Sequence, residues 1–89
     1  MLKQYKRARE ALATALAELY KEEQKVRSKE VSLLLMYRAD GLGLEESRAK
    51  ARRDLSGEYM KVAKLKGEVE KRRAEVDVLE WGLKYDGAK

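Results

Sequence analysis

Cysteine, histidine, proline and phenylalanine are absent from the 89 residues; asparagine and isoleucine are missing too, and threonine occurs once, at Thr14. Without cysteine or histidine there is no disulfide framework, no zinc site of the usual kind and no thiol or imidazole chemistry. The four serines, at 28, 32, 47 and 56, stand in no glycine-flanked elbow and beside no partner base, so nucleophilic catalysis has no foothold. Long apolar runs are lacking as well. The longest, Leu33 to Tyr37, falls far below the roughly 18 to 20 residues that cross a bilayer. The opening MLKQYKRARE turns charged at once, unlike a signal peptide, and the expected location is the cytoplasm.

What is present is charge and helix-forming side chains. Charged residues reach 42%, against roughly a quarter in an average domain. Ala, Glu, Lys, Leu and Arg together supply 57 of the 89 residues, and strand formers are scarce, which points to an all-α chain. Twenty-one bases against sixteen acids leave a net charge of +5. That excess permits a nucleic-acid partner without demanding one.

Heptad spacing organises two long arms. In the first, Leu2, Tyr5, Leu12, Leu16, Leu19, Val26, Leu33 and Tyr37 follow one another at three, four or seven residues, as on the seam of an amphipathic helix. Arg9, Glu23 and Glu30 share that register, so a clean two-stranded zipper is not expected. Alanines 8, 11, 13, 15 and 17 flank the seam where a second helix could approach closely. In the second arm Leu55, Val62, Val69, Val76 and Leu83 recur every seven residues, with Ala51, Leu65 and Leu79 between them. Val78, Trp81 and Tyr85 lie partly off this stripe and suggest a second contact face.

Between the arms, Asp40, Gly41 and Gly43 close the first helix, and Glu45 and Glu46 suit the positive end of the next. A further break is expected at Leu55-Ser56-Gly57, although the seven-residue spacing runs straight through it. The resulting expectation is an all-α antiparallel helical hairpin with a long helix 3–39, a short helix 44–55 and a long helix 58–84. Gly67 is expected to allow a close helix contact. One seam is a small return for ordering 89 residues, and pairing into a homodimeric four-helix bundle would cover it better. Leu12, Leu16, Leu19, Val26, Leu33, Leu55, Val62, Val69, Val76, Leu79 and Trp81 are the expected helix and dimer interface.

Three groups could carry function. The acid pairs Glu22/Glu23 and Glu45/Glu46 could in principle hold a metal, but neighbours on a helix point about 100° apart, and no metal, cofactor or small-molecule substrate is expected. From residue 48 to 73 ten bases face four acids, and Arg48, Lys50, Arg52, Arg53, Lys61, Lys64, Arg72 and Arg73 are candidates for sequence-independent phosphate binding. Solvated surface charge is the competing account of the same residues. Tyr5 and Tyr37 belong to the seam, whereas Tyr20, Tyr59, Tyr85 and Trp81 could stack on bases or close helix ends.

The long charged helix ending in LLLMYRADGLGLEES, the short segment closing at ARRDLSG and the last helix containing EYMKVAKLKGEVEKRRAEVDVLEWGLKYD resemble a class of small helical accessory proteins encoded by tailed bacteriophages, often beside replication and recombination genes. The resemblance implies a bacterial host cytosol, a break at Gly57 and a setting in nucleic-acid metabolism. The expected function is accordingly a non-enzymatic accessory role, binding nucleic acid or a replication or recombination protein through the basic segment. The alternative is a protein-interaction module, such as an inhibitor of a host protein, that docks by the apolar surface around Trp81.

Overall fold

With no proline to interrupt it and strong helix formers throughout, the first arm runs as a single helix, α1, from Leu2 to Ala39. A computed structural model describes the backbone of residues 2–87 and the side chains of residues 2–85. Two further helices follow, α2 at Leu44–Asp54 and α3 at Ser56–Gly87, and no strand occurs among the described residues. The long, short, long order expected of the sequence is present.

The corner after α1 is built by hydrogen bonding. Gly41 donates to the Arg38 carbonyl at 3.0 Å and Leu42 to that of Tyr37 at 3.1 Å, while Gly41 takes a positive φ of 95°. This is the Schellman arrangement, in which a left-handed residue lets the chain satisfy the last carbonyls of a helix. Gly43 then caps α2 from an extended conformation, and Glu45 and Glu46 occupy the first turn, where the helix dipole favours them.

The second break is narrower than the sequence suggests. Leu55 alone separates α2 from α3: its N–H still bonds to the Ala51 carbonyl at 3.0 Å, and its own carbonyl already accepts from Tyr59 at 2.9 Å. Gly57 lies inside the first turn of α3 and stops nothing. The joint is therefore a buried leucine, not the serine-glycine pair, and the heptad continues across it.

Contacts divide the chain into two units, and α1 and α3 each contribute to both. Tyr20–Ala63 forms a corner unit; Met1–Leu19 and Lys64–Lys89 form a terminal unit. In the corner unit Val26, Tyr37, Ala51 and Leu55 are buried. Lys61 meets Glu22 at 3.5 Å, Tyr59 donates to Glu30 at 2.8 Å, and Lys29 meets Glu58 at 3.7 Å. Rising numbers on α1 meet falling numbers on α3, so the two segments are antiparallel here. α2 seats so closely that Ser47 and Ala51 are both 0% exposed.

The terminal unit has a smaller core, of Ala8, Ala15, Val69 and Val76. The seam expected on α1 is corrected here by one residue: Ala15 is buried, whereas Leu16 stands 40% exposed and Leu2 is exposed too. Steps of three and four residues from Leu12 to Leu19 pass through either Ala15 or Leu16, and the helix takes the first of these routes; Arg72 lies opposite. It occupies a seam position of α3, gripped by Glu68 at 3.0 Å and Glu75 at 3.3 Å, and Ala11, Thr14 and Ala15 line the hollow beside it. A leucine turned inward would fill that space. Gly67 is corrected as well, being exposed with no neighbour close enough to meet an added Cβ.

Candidate functional site

The outward side of α3 in the terminal unit carries a second apolar stripe. Ala74, Val78, Trp81 and Tyr85 follow one another at steps of four, three and four residues, which at 3.6 residues per turn keeps them on one side of a helix. That side lies away from the seam of Val69, Val76 and Leu83. Val78 is 71% exposed, Trp81 63% and Tyr85 55%. The rings of Trp81 and Tyr85 stand 4.2 Å apart between centroids at a tilt of 49°, so the two aromatics form one surface. Trp81, expected at an interface, takes no part in the seam within this chain.

Shallow hollows flank the stripe. One, of about 580 Å³, is bordered by Lys71, Ala74, Glu75, Val78 and Leu79. The other, of about 430 Å³, is bordered by Asp77, Glu80, Trp81 and Lys84. Glu80 is engaged from α1, accepting the Tyr5 hydroxyl at 2.9 Å. Asp77 and Lys84 make no ion pair among the described residues. A ridge of apolar side chains between two open troughs, edged by one acid and one base, can receive another helix.

The basic segment is divided. Arg48, Lys50, Arg52, Arg53 and Lys61 belong to the corner unit, while Lys64, Arg72 and Arg73 belong to the terminal unit. Three of the eight are already engaged: Lys61 with Glu22, Arg72 between two glutamates, and Lys50 with its ammonium 4.6 Å from the centre of the Tyr37 ring. Arg48, Arg52 and Arg53 of α2 remain exposed and unpaired among the described residues, as do Lys64 and Arg73. The structure brings the α2 arginines together on a single short helix. It does not gather all eight.

Of the aromatics, Tyr37 and Tyr59 are structural. The Tyr37 hydroxyl donates to Asp54, and that bond, with burial and the charges of Asp54 and Asp40, raises its pKa above the usual 10.0. Burial comes first in raising Tyr59, followed by its bond to Glu30 and the Glu30 charge, with Arg52 opposing. Tyr5 is half-buried, and the Arg9 guanidinium lies 5.8 Å from its ring centre. Tyr20 is exposed on the corner unit.

Sequence reasoning found the Val78, Trp81 and Tyr85 face but passed over Ala74, which continues it, and Asp77 and Lys84, which border it. The signal was available in the four-three-four spacing, masked by the stronger seven-residue repeat of the seam. Among the described residues no group of three or more acidic side chains gathers as a metal site, and no helix is long and apolar enough to cross a membrane. No family model matches the chain, nor does any curated protein or solved structure, so the case for function rests on these surfaces.

Proposed function

We propose that this protein is a non-catalytic association module whose working surface is the outward stripe of α3. The observation that carries the reading is the contiguity of Ala74, Val78, Trp81 and Tyr85, exposed on one helix face and edged by charge. Exposed apolar residues scattered singly need no explanation, whereas a connected aromatic and aliphatic ridge marks a contact site. Tryptophan and tyrosine also contribute strongly where a partner covers them.

The test is site-specific photo-crosslinking with the full chain. A photoreactive side chain at position 78 or 81 is expected to crosslink to protein, and one on the solvent side of α2, at position 52, is not. Crosslinks of equal yield from all three positions would overturn the reading.

A second reading keeps the basic segment as the working surface, and the exposed arginines 48, 52 and 53 favour it. It corresponds to a phage-type accessory protein acting on nucleic acid, or on a replication or recombination protein, in a bacterial cytosol. Under it, single-stranded or duplex DNA binds in a strongly salt-dependent way. Changing the three arginines to glutamine would then lower the slope of log affinity against log salt by roughly two to three. No binding at low salt removes this reading and leaves the first.

A further inference from the structure

We infer that the partner on the α3 stripe is a second copy of this chain, packed antiparallel about a two-fold axis that passes between Leu79 and Glu80. The inference rests on the reading of the stripe as a docking face. It adds the identity of the occupant and its register.

A two-fold interface must be self-complementary: where residue i touches residue j of the other copy, j must touch i. The stripe meets that condition through its spacing. Its steps of four, three and four residues read the same in both directions, so a reversed copy matches it position for position. Val78 then meets the partner's Trp81, and Ala74 meets the partner's Tyr85. Each larger side chain faces a smaller one, as interdigitated packing requires. A parallel pairing would set Trp81 against the partner's Trp81 and Ala74 against the partner's Ala74, one layer crowded and one empty.

Charge selects the same register. Asp77 and Lys84 lie seven residues apart on one flank of the stripe. In the antiparallel register Asp77 faces the partner's Lys84, and by symmetry Lys84 faces the partner's Asp77, giving two ion pairs from groups without one among the described residues. Sliding the copies by one heptad toward the start of α3 puts Asp77 opposite the partner's Asp77, where like charges oppose. On the other flank Glu75, held by Arg72 at 3.3 Å, faces the partner's Gly82, which offers no charge to repel it.

The contact spans about 18 Å of helix at 1.5 Å per residue, shorter than a standard interface, and a dimer of micromolar affinity is expected. It joins the copies on the side of α3 away from the seam, unlike a four-helix bundle with one shared core.

Sedimentation equilibrium of the full chain tests this, over roughly 1 to 500 µM to bracket such an affinity. The wild-type chain is expected to show a monomer–dimer equilibrium. V78E should weaken it at least tenfold by placing a carboxylate in the central layers. D77K and K84E should each weaken it by about threefold to fivefold, the range for two rim ion pairs. An equimolar mixture of D77K and K84E should restore pairing to within about twofold of wild type, because the opposite charges then face each other across the heterodimer. All three side chains are exposed, and unchanged circular dichroism verifies that the variants fold.

A chain that stays monomeric throughout overturns the self-pairing, while protein crosslinks from position 78 would still uphold the docking face. A dimer that V78E leaves intact overturns the self-pairing through the stripe, and if position 78 also yields no more crosslink than position 52 the docking face falls with it. A dimer broken by V78E but not rescued by mixing keeps the face and overturns the antiparallel register.

Discussion

At the residue scale the corner unit holds two different kinds of polar group. Ser47 is wholly buried, and its hydroxyl has no hydrogen-bond partner among the described residues. Burying such a group without compensation costs stability, so Ser47→Ala is expected to raise stability by about 1 kcal/mol in urea unfolding. Tyr37 and Tyr59, by contrast, are satisfied by carboxylates that hold their protons, and both pKa values are raised. A folded-state pKa above the unfolded value means that the native state binds more protons in that range. The stability these bonds contribute is therefore fully present below about pH 10 and is lost as pH rises through the folded-state values. Unfolding midpoints of the wild type should fall more steeply, as pH rises above about 10, than those of a Tyr37→Phe/Tyr59→Phe variant. Equal slopes would show that the two phenols do not couple to folding.

At the scale of the element, three glycines that look alike in the sequence have different standing. Gly41 alone has a positive φ, and Gly41→Ala should cost about 1 kcal/mol or more by straining the turn that ends α1. Gly57 and Gly67 sit within α3 with open space where a Cβ would go. Alanine at either position should gain about 0.5 to 1 kcal/mol by restricting the unfolded chain. Thermal melts of the three variants should thus move in opposite directions. The same contrast shows what the sequence could reveal. Its glycine-rich corner was legible because a helix ending in Asp-Gly-x-Gly has few other ways to satisfy its last carbonyls. The break at Leu55 was misplaced onto Gly57 because glycine marks weak helix wherever it falls, whereas a one-residue interruption at a buried leucine follows from tertiary packing. The choice between Ala15 and Leu16 was likewise out of reach. Both are apolar and one residue apart, and either completes a step of three or four residues between Leu12 and Leu19.

At the scale of the whole molecule, the two units differ in what they bury. The corner unit has Tyr37, Leu55 and Val26 in its core, while the terminal unit relies on two alanines and two valines. A residue truncated in the larger core should be felt strongly: Leu55→Ala is expected to cost about 2 to 5 kcal/mol. The terminal unit, with less apolar volume of its own, has more to gain from a partner on α3. An interaction made by the native state and not by the unfolded one stabilises in proportion to the logarithm of concentration, by about 2.7 kcal/mol at a hundredfold excess over the dissociation constant. The melting temperature should consequently rise with protein concentration across the micromolar range. Hydrogen exchange should slow with concentration at amides of the terminal unit and hold steady in the corner unit. In V78E both dependences should vanish while the low-concentration melting temperature stays put, since Val78 stands outside the seam. If the variant instead melts lower at every concentration, Val78 supports the fold of its own chain, and the exposed stripe owes its spacing to that fold instead of to a partner.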